Sequence, residues 1–138
     1  MWNKVDQNRI KLIITALLVL TGCASPFVTF PGKALVGEAN ETSSFGFASE
    51  YALLKLEVNP EEPYSVILRT TVIEEELYID AAPGRKWATG LRRNPLVRIA
   101  LGKTIYPATA VPVFDEAITR QFLADRTIYR IDPRPFAE

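Results

Sequence analysis

Histidine is absent from the 138 residues, and cysteine occurs once, at position 23. Without histidine the chain loses the commonest general base, the commonest transition-metal ligand and every Ser-His-Asp or Cys-His arrangement. Carboxylates alone make poor zinc sites, so zinc is excluded as well. A single cysteine forms no intrachain disulfide, and an exported domain built from this sequence must hold together by packing alone. Charge of one sign is not in excess either: 16 basic residues balance 16 acidic ones, which gives no sign of a nucleic-acid partner. Internal repeats and low-complexity tracts are missing. An apolar run over residues 10–20 is too short to cross a bilayer as a helix.

What is present begins with an address. Lys4, Arg9 and Lys11 form a positive n-region, the apolar run follows, and Leu20-Thr21-Gly22-Cys23 closes it. This segment resembles the signal peptide and lipobox of bacterial lipoproteins. The resemblance implies diacylglycerol attachment to the Cys23 sulfur, cleavage before Cys23 and acylation of the new amino terminus. Two or three acyl chains hold a protein on a bilayer far more firmly than one. Ala24 stands where an aspartate signals inner-membrane retention in diderm bacteria, so the resemblance implies the periplasmic face of the outer membrane. Removing 22 of 138 residues leaves 116, enough for one domain with a modest core.

Residues 24–49 are rich in Gly, Ser, Thr, Ala and Pro with scattered phenylalanines, and read as a lipidated tether (23–50) that partly docks. Residues 52–58 alternate Leu54, Leu56 and Val58 against Lys55 and Glu57, the period of a half-buried strand. Pro60 and Pro63 mark a turn. Residues 65–73 and 77–81 are β-rich, with Glu74, Glu75 and Glu76 as their hairpin connection. After Pro83-Gly84, Trp87 and Leu91 at i,i+4 spacing predict a short helix over 85–94, stopped by Pro95. Strands are expected at 96–101 and 104–113, the latter broken by Pro107 and Pro112 into an edge or a bulge. Asp115 caps a predicted helix reaching about residue 124, with Phe122 and Leu123 turned inward. A last strand covers 127–131. The expected fold is mainly β (α+β): a small six-stranded, mostly antiparallel barrel with two short helices, spanning 51–132 before a tail at 133–138.

Residues 65–115 are similar to the flavin-binding split β-barrel superfamily, which includes pyridoxamine phosphate oxidase-like proteins and deazaflavin-dependent nitroreductases. Two blocks carry the likeness: Leu77-Tyr78-Ile79-Asp80-Ala81-Ala82-Pro83-Gly84-Arg85-Lys86, and Leu91-Arg92-Arg93-Asn94-Pro95-Leu96-Val97-Arg98-Ile99. By this resemblance Arg85 and Lys86 hold the phosphate of a flavin, FMN or a deazaflavin, beside a helix N-terminus, where cations and backbone N–H groups suit an anion. Arg69 is the nearest match to a further family arginine, and a homodimer would complete the site. Asp80 departs from the pattern: it falls near a position where many members use Thr or Ser, and a carboxylate there repels a phosphate unless Arg85 neutralises it.

Two functional readings follow. One is a lipid-anchored, non-catalytic binding or structural module on the split-barrel scaffold. The other is a membrane-anchored flavin- or deazaflavin-dependent oxidoreductase, in which the cofactor carries the redox chemistry and no histidine is needed. Trp87 and Leu91 read as core residues closing the barrel end, and Arg92 and Arg93 with Arg85 and Lys86 as solvated helix ends.

Overall fold

A computed structural model describes residues 32–136. The lipobox, Cys23 and the apolar run lie outside these residues. Alternating apolar residues make the strands, and β-branched side chains favour them. In chain order the elements are β1 (Glu38–Ala39), a 3-10 helix (Gly46–Glu50), β2 (Leu53–Val58), β3 (Tyr64–Arg69), β4 (Thr71–Ile73) and β5 (Glu76–Ala81). Then follow α1 (Lys86–Arg93), β6 (Leu96–Leu101), β7 (Thr104–Pro112), α2 (Glu116–Thr119) and β8 (Thr127–Pro133). No helix among the described residues is long and apolar enough to cross a membrane.

The strands join in the order β3-β2-β6-β7-β8-β5-β4, antiparallel throughout, with β1 added in parallel to the start of β7. Only Thr70 separates β3 from β4. One chain segment therefore sits at both ends of the sheet, and the sheet must curl to let it do so. This is the mainly antiparallel split-barrel class expected, but with eight strands rather than six. The excess has two causes: the bend at Thr70 divides one expected strand into β3 and β4, and the two-residue β1 arises upstream.

Leu54, Leu56, Leu77, Ile79, Ile99, Leu101 and Ile131 point inward with exposures of 0–1% and form the core. Phe45 and Ala48 join it from the 3-10 region, and Trp87, Ala88 and Leu91 close it from α1. β7 is a central strand, not an edge. Pro107 is tolerated because it faces Arg98 of β6 on one side, while on the other side the β8 partners begin only at Ala108 and the β1 partners stop at Ile105. A missing N–H at that gap breaks no ladder bond.

The expected helix to residue 124 is a single turn. Asp115 does cap it, its Oδ1 accepting from the Ala117 N–H at 2.9 Å. Beyond Thr119 the backbone bonds tighten to i→i−3, Gln121 to Ile118 and Phe122 to Thr119, so the α-helix ends there. Phe122 is half-buried, but Leu123 faces solvent with 66% exposure, contrary to the inward orientation expected of it. The two-residue turn between β4 and β5 places Glu74 and Glu75 at φ of 49° and 68°, the pair of positive values that a type I′ hairpin requires.

Candidate functional site

The outer face of the sheet carries two covers. The first is the strap of residues 32–40. Gly32 accepts from the Ser65 N–H at 2.7 Å on the free margin of β3, and the Ser65 hydroxyl donates to the Lys33 carbonyl at 3.0 Å. Further along, Leu35 meets an ion pair: Arg98 donates through Nε and one terminal nitrogen to both Glu57 oxygens at 2.7 Å each. Glu57 also accepts from the Leu35 N–H at 2.6 Å, and Arg98 reaches the Leu35 carbonyl at 3.5 Å. Glu57 and Arg98 face one another across β2 and β6. Glu57 projects outward from its strand yet is only 6% exposed, because the strap lies over it. Hydrogen bonding to Glu57 raises the Arg98 pKa and holds the guanidinium in its charged form.

The second cover is the segment 113–126, on the outer side of β5 and β8. Phe122 sits 6.4 Å from the Tyr78 ring, Val113 donates to the Ile128 carbonyl at 3.0 Å, and Arg126 pairs with Asp80 at 3.5 Å. Burial raises the Tyr78 pKa above the ordinary tyrosine value, with Glu76 adding to the effect.

The residues expected to hold a flavin phosphate are placed as follows. Arg85 is the N-cap residue of α1 and makes no side-chain capping bond; Lys86 is the first helical residue. Both are exposed, as is Arg69, which stands opposite Leu53 at the end of β3. Among the described residues none of the three has an ion-pair partner. Asp80 is neutralised by Arg126, not by Arg85.

A cleft of about 450 Å³ opens elsewhere, between the segment ahead of the 3-10 helix and the β5–β8 pair, lined by Ser44, Phe45, Glu75, Glu76, Arg130 and Asp132. Arg130 is held by Asp132 in a bidentate pair at 2.6 and 2.8 Å, and this pairing raises its pKa. The cleft touches the first residues of β5, whereas Arg85 and Lys86 follow its last. At a strand rise of about 3.4 Å per residue, the length of β5 puts about 17 Å between them. The phosphate cations and the cleft thus belong to opposite ends of the barrel, and the cleft is lined by carboxylates that oppose a phosphate. Among the described residues, one chain does not bring Arg85, Lys86 and the cleft together. Among the described residues no cluster of three or more metal-ligating side chains occurs.

Sequence reasoning identified Trp87 and Leu91 as core residues, and they are 6% and 3% exposed. It missed the Glu57–Arg98 clamp. Both residues are legible as polar positions on alternating strands, but nothing in the linear pattern sets them opposite each other.

No family model and no curated protein matches the chain. Solved structures do. A protein from Listeria innocua provisionally described as a pyridoxamine 5'-phosphate oxidase is similar with a TM-score of 0.56 at 16% identity, covering 64% of this chain and 88% of its own. A NimC/NimA family protein from Clostridium acetobutylicum gives 0.54 at 14% identity, covering 63% and 78%. The FAD binding protein from Mycobacterium smegmatis gives 0.52 at 15%, covering 67% and 88%. At these identities the likeness speaks for the architecture alone, and that architecture is a split barrel.

Proposed function

We propose that the chain is an envelope lipoprotein, anchored by acyl chains on Cys23, whose split-barrel domain is a non-catalytic binding or structural module. The observation that supports the non-catalytic part is the separation of the exposed Arg85–Lys86 step from the cleft at the other end of the barrel. Within one chain, a flavin phosphate held at Arg85 and Lys86 would find no enclosed ring site beside it among the described residues. Here the cations stand in solvent and the cleft is acidic. The anchoring part is supported by the order of n-region, apolar run and lipobox ahead of the domain.

Titration of the purified chain with FMN, followed by flavin fluorescence and thermal stability, tests the module reading. The expected result is neither saturable quenching nor a shift in Tm. Saturable binding that is lost in an Arg85→Ala, Lys86→Ala double variant would instead establish the oxidoreductase reading. Anchoring is tested separately by labelled palmitate, which is expected to enter the native chain and not the Cys23→Ser variant.

A further inference from the structure

Positive charge in this molecule is segregated. Between Ala81 and Phe114 there is no Asp or Glu, yet the stretch holds Arg85, Lys86, Arg92, Arg93, Arg98 and Lys103 in a chain whose overall charge is zero. Arg98 is neutralised by Glu57. The four cations of α1 are all exposed, and among the described residues none of them is in an ion pair. The contrast with α2 is direct: there Arg120 has Glu116 one turn away at 2.6 Å. On α1 no carboxylate is available for such a pair.

Helical geometry puts these charges on one side. Trp87, Ala88 and Leu91 are buried, and at about 100° per residue Lys86, Thr89 and Arg93 fall on the opposite face with Arg92 flanking them. That outer face carries no apolar side chain. It offers a protein partner nothing to bury, and offers an anionic surface a row of cations.

The strap places this face. Gly32 sits on Ser65, which is opposite Glu57, which is opposite Arg98. α1 hands over to β6 through Asn94 and Pro95, and Leu96 is only two residues from Arg98, about 7 Å along the strand. The chain thus joins the domain at the end of the sheet where α1 finishes. From Cys23 to Gly32 the chain reaches at most about 30 Å, so an anchor at Cys23 would leave α1 within reach of the bilayer. Electrostatic attraction to anionic headgroups acts within a Debye length of about 8–10 Å.

We infer that the outer face of α1, Lys86, Arg92 and Arg93 with Arg85 at the N-cap, docks on an anionic phospholipid surface and holds the barrel against the membrane. The inference rests on the lipoprotein reading for its setting, but its test does not use the lipid anchor. Glu61 and Glu62, in the β2–β3 turn, lie at the same end of the sheet and oppose the docking.

The experiment is flotation of the full chain carrying Cys23→Ser, with vesicles of phosphatidylcholine alone or with one third phosphatidylglycerol. The Arg85→Gln, Lys86→Gln, Arg92→Gln, Arg93→Gln variant is expected to lose affinity for the anionic vesicles by about tenfold or more and to keep its binding to neutral ones. Added salt should abolish the difference between parent and variant. A Glu61→Gln, Glu62→Gln variant, which leaves α1 untouched, should bind the anionic vesicles more tightly than the parent. If the parent and the four-cation variant, both shown to be folded by circular dichroism, float equally on the anionic vesicles, the inference is wrong. Failure of palmitate labelling of the native chain would remove the anchor and leave this result standing.

Discussion

The strap and the segment 113–126 cover neighbouring parts of the same outer sheet surface by opposite means. The strap is fastened by directed polar bonds: backbone to Ser65, backbone to the Glu57–Arg98 pair, and backbone to Lys103 and Ile105 along β7. Its own side chains contribute little, Val36 being 98% exposed. The 113–126 segment is fastened mainly by what it buries, Phe122 against Tyr78 and cover over Ile128, with one weak ion pair at its edge. A cover made of directed bonds is specific in register and fails when a single partner is removed. A cover made of burial degrades in proportion to the area lost.

Four perturbations separate the two mechanisms. The largest effect is expected from Glu57→Ala, which strands a half-buried guanidinium and an unpaired Leu35 N–H at once. A loss of about 2–3 kcal/mol is expected in urea denaturation, with backbone hydrogen exchange rising at Leu35. A loss under about 0.5 kcal/mol would mean that the strap is not clamped by this pair. Next comes Phe122→Ala, expected to cost about 1–2 kcal/mol by the same measurement and to leave exchange at Leu35 unchanged.

Of the two covers, alkaline pH should act through the second. The folded state holds the Tyr78 proton more tightly than the unfolded chain does, because burial raises its pKa from the ordinary 10.0. The resulting stability is complete below that value and drains away as pH rises through the higher folded value. Tyr64 shifts in the same direction through burial. Tyr78→Phe should therefore flatten the fall of Tm above pH 10 without removing it. The smallest effect belongs to Arg126→Gln: its pair with Asp80 is partly exposed at 3.5 Å, so a change of about 0.5 kcal/mol is expected.

The two covers also differ in how far the sequence revealed them. Phe122 stood out as an apolar residue near a helix cap, and Asp115 does cap. What the pattern did not carry was the length of the helix, because leaving helical geometry to place Phe122 on Tyr78 is a tertiary event. The strap was harder to see. Residues 32–40 have the Gly- and Ala-rich composition of a tether, and their partners Ser65, Glu57 and Arg98 are ordinary polar positions on three strands. Strand alternation places a side chain on a face but does not fix its neighbour, since neighbours depend on register between distant segments.

The barrel itself was legible because Leu54 and Leu56, Leu77 and Ile79, and Val97 and Ile99 recur at every second position of β-rich runs. The bend at Thr70 was not, because Thr70 is one more β-branched residue in a β-rich run. At the candidate site, the motif located Arg85 and Lys86 correctly at a helix start. It could not show that Asp80 would be taken by Arg126, 46 residues downstream, since that pairing exists only once β5 and β8 lie side by side.

The bend at Thr70 also bears on how copies of this protein coexist. A sheet with two long free margins invites backbone pairing with the next molecule, and hence clumping. Here one bent chain segment supplies both margins: β3 is paired through β2 and β4 through β5, while Gly32 occupies the open side of β3 at Ser65. Among the described residues, what is left for a neighbour to grip is the short margin from Val66 to Arg69 and the three residues of β4, Thr71–Ile73. At high concentration, such molecules can sit side by side without zipping together.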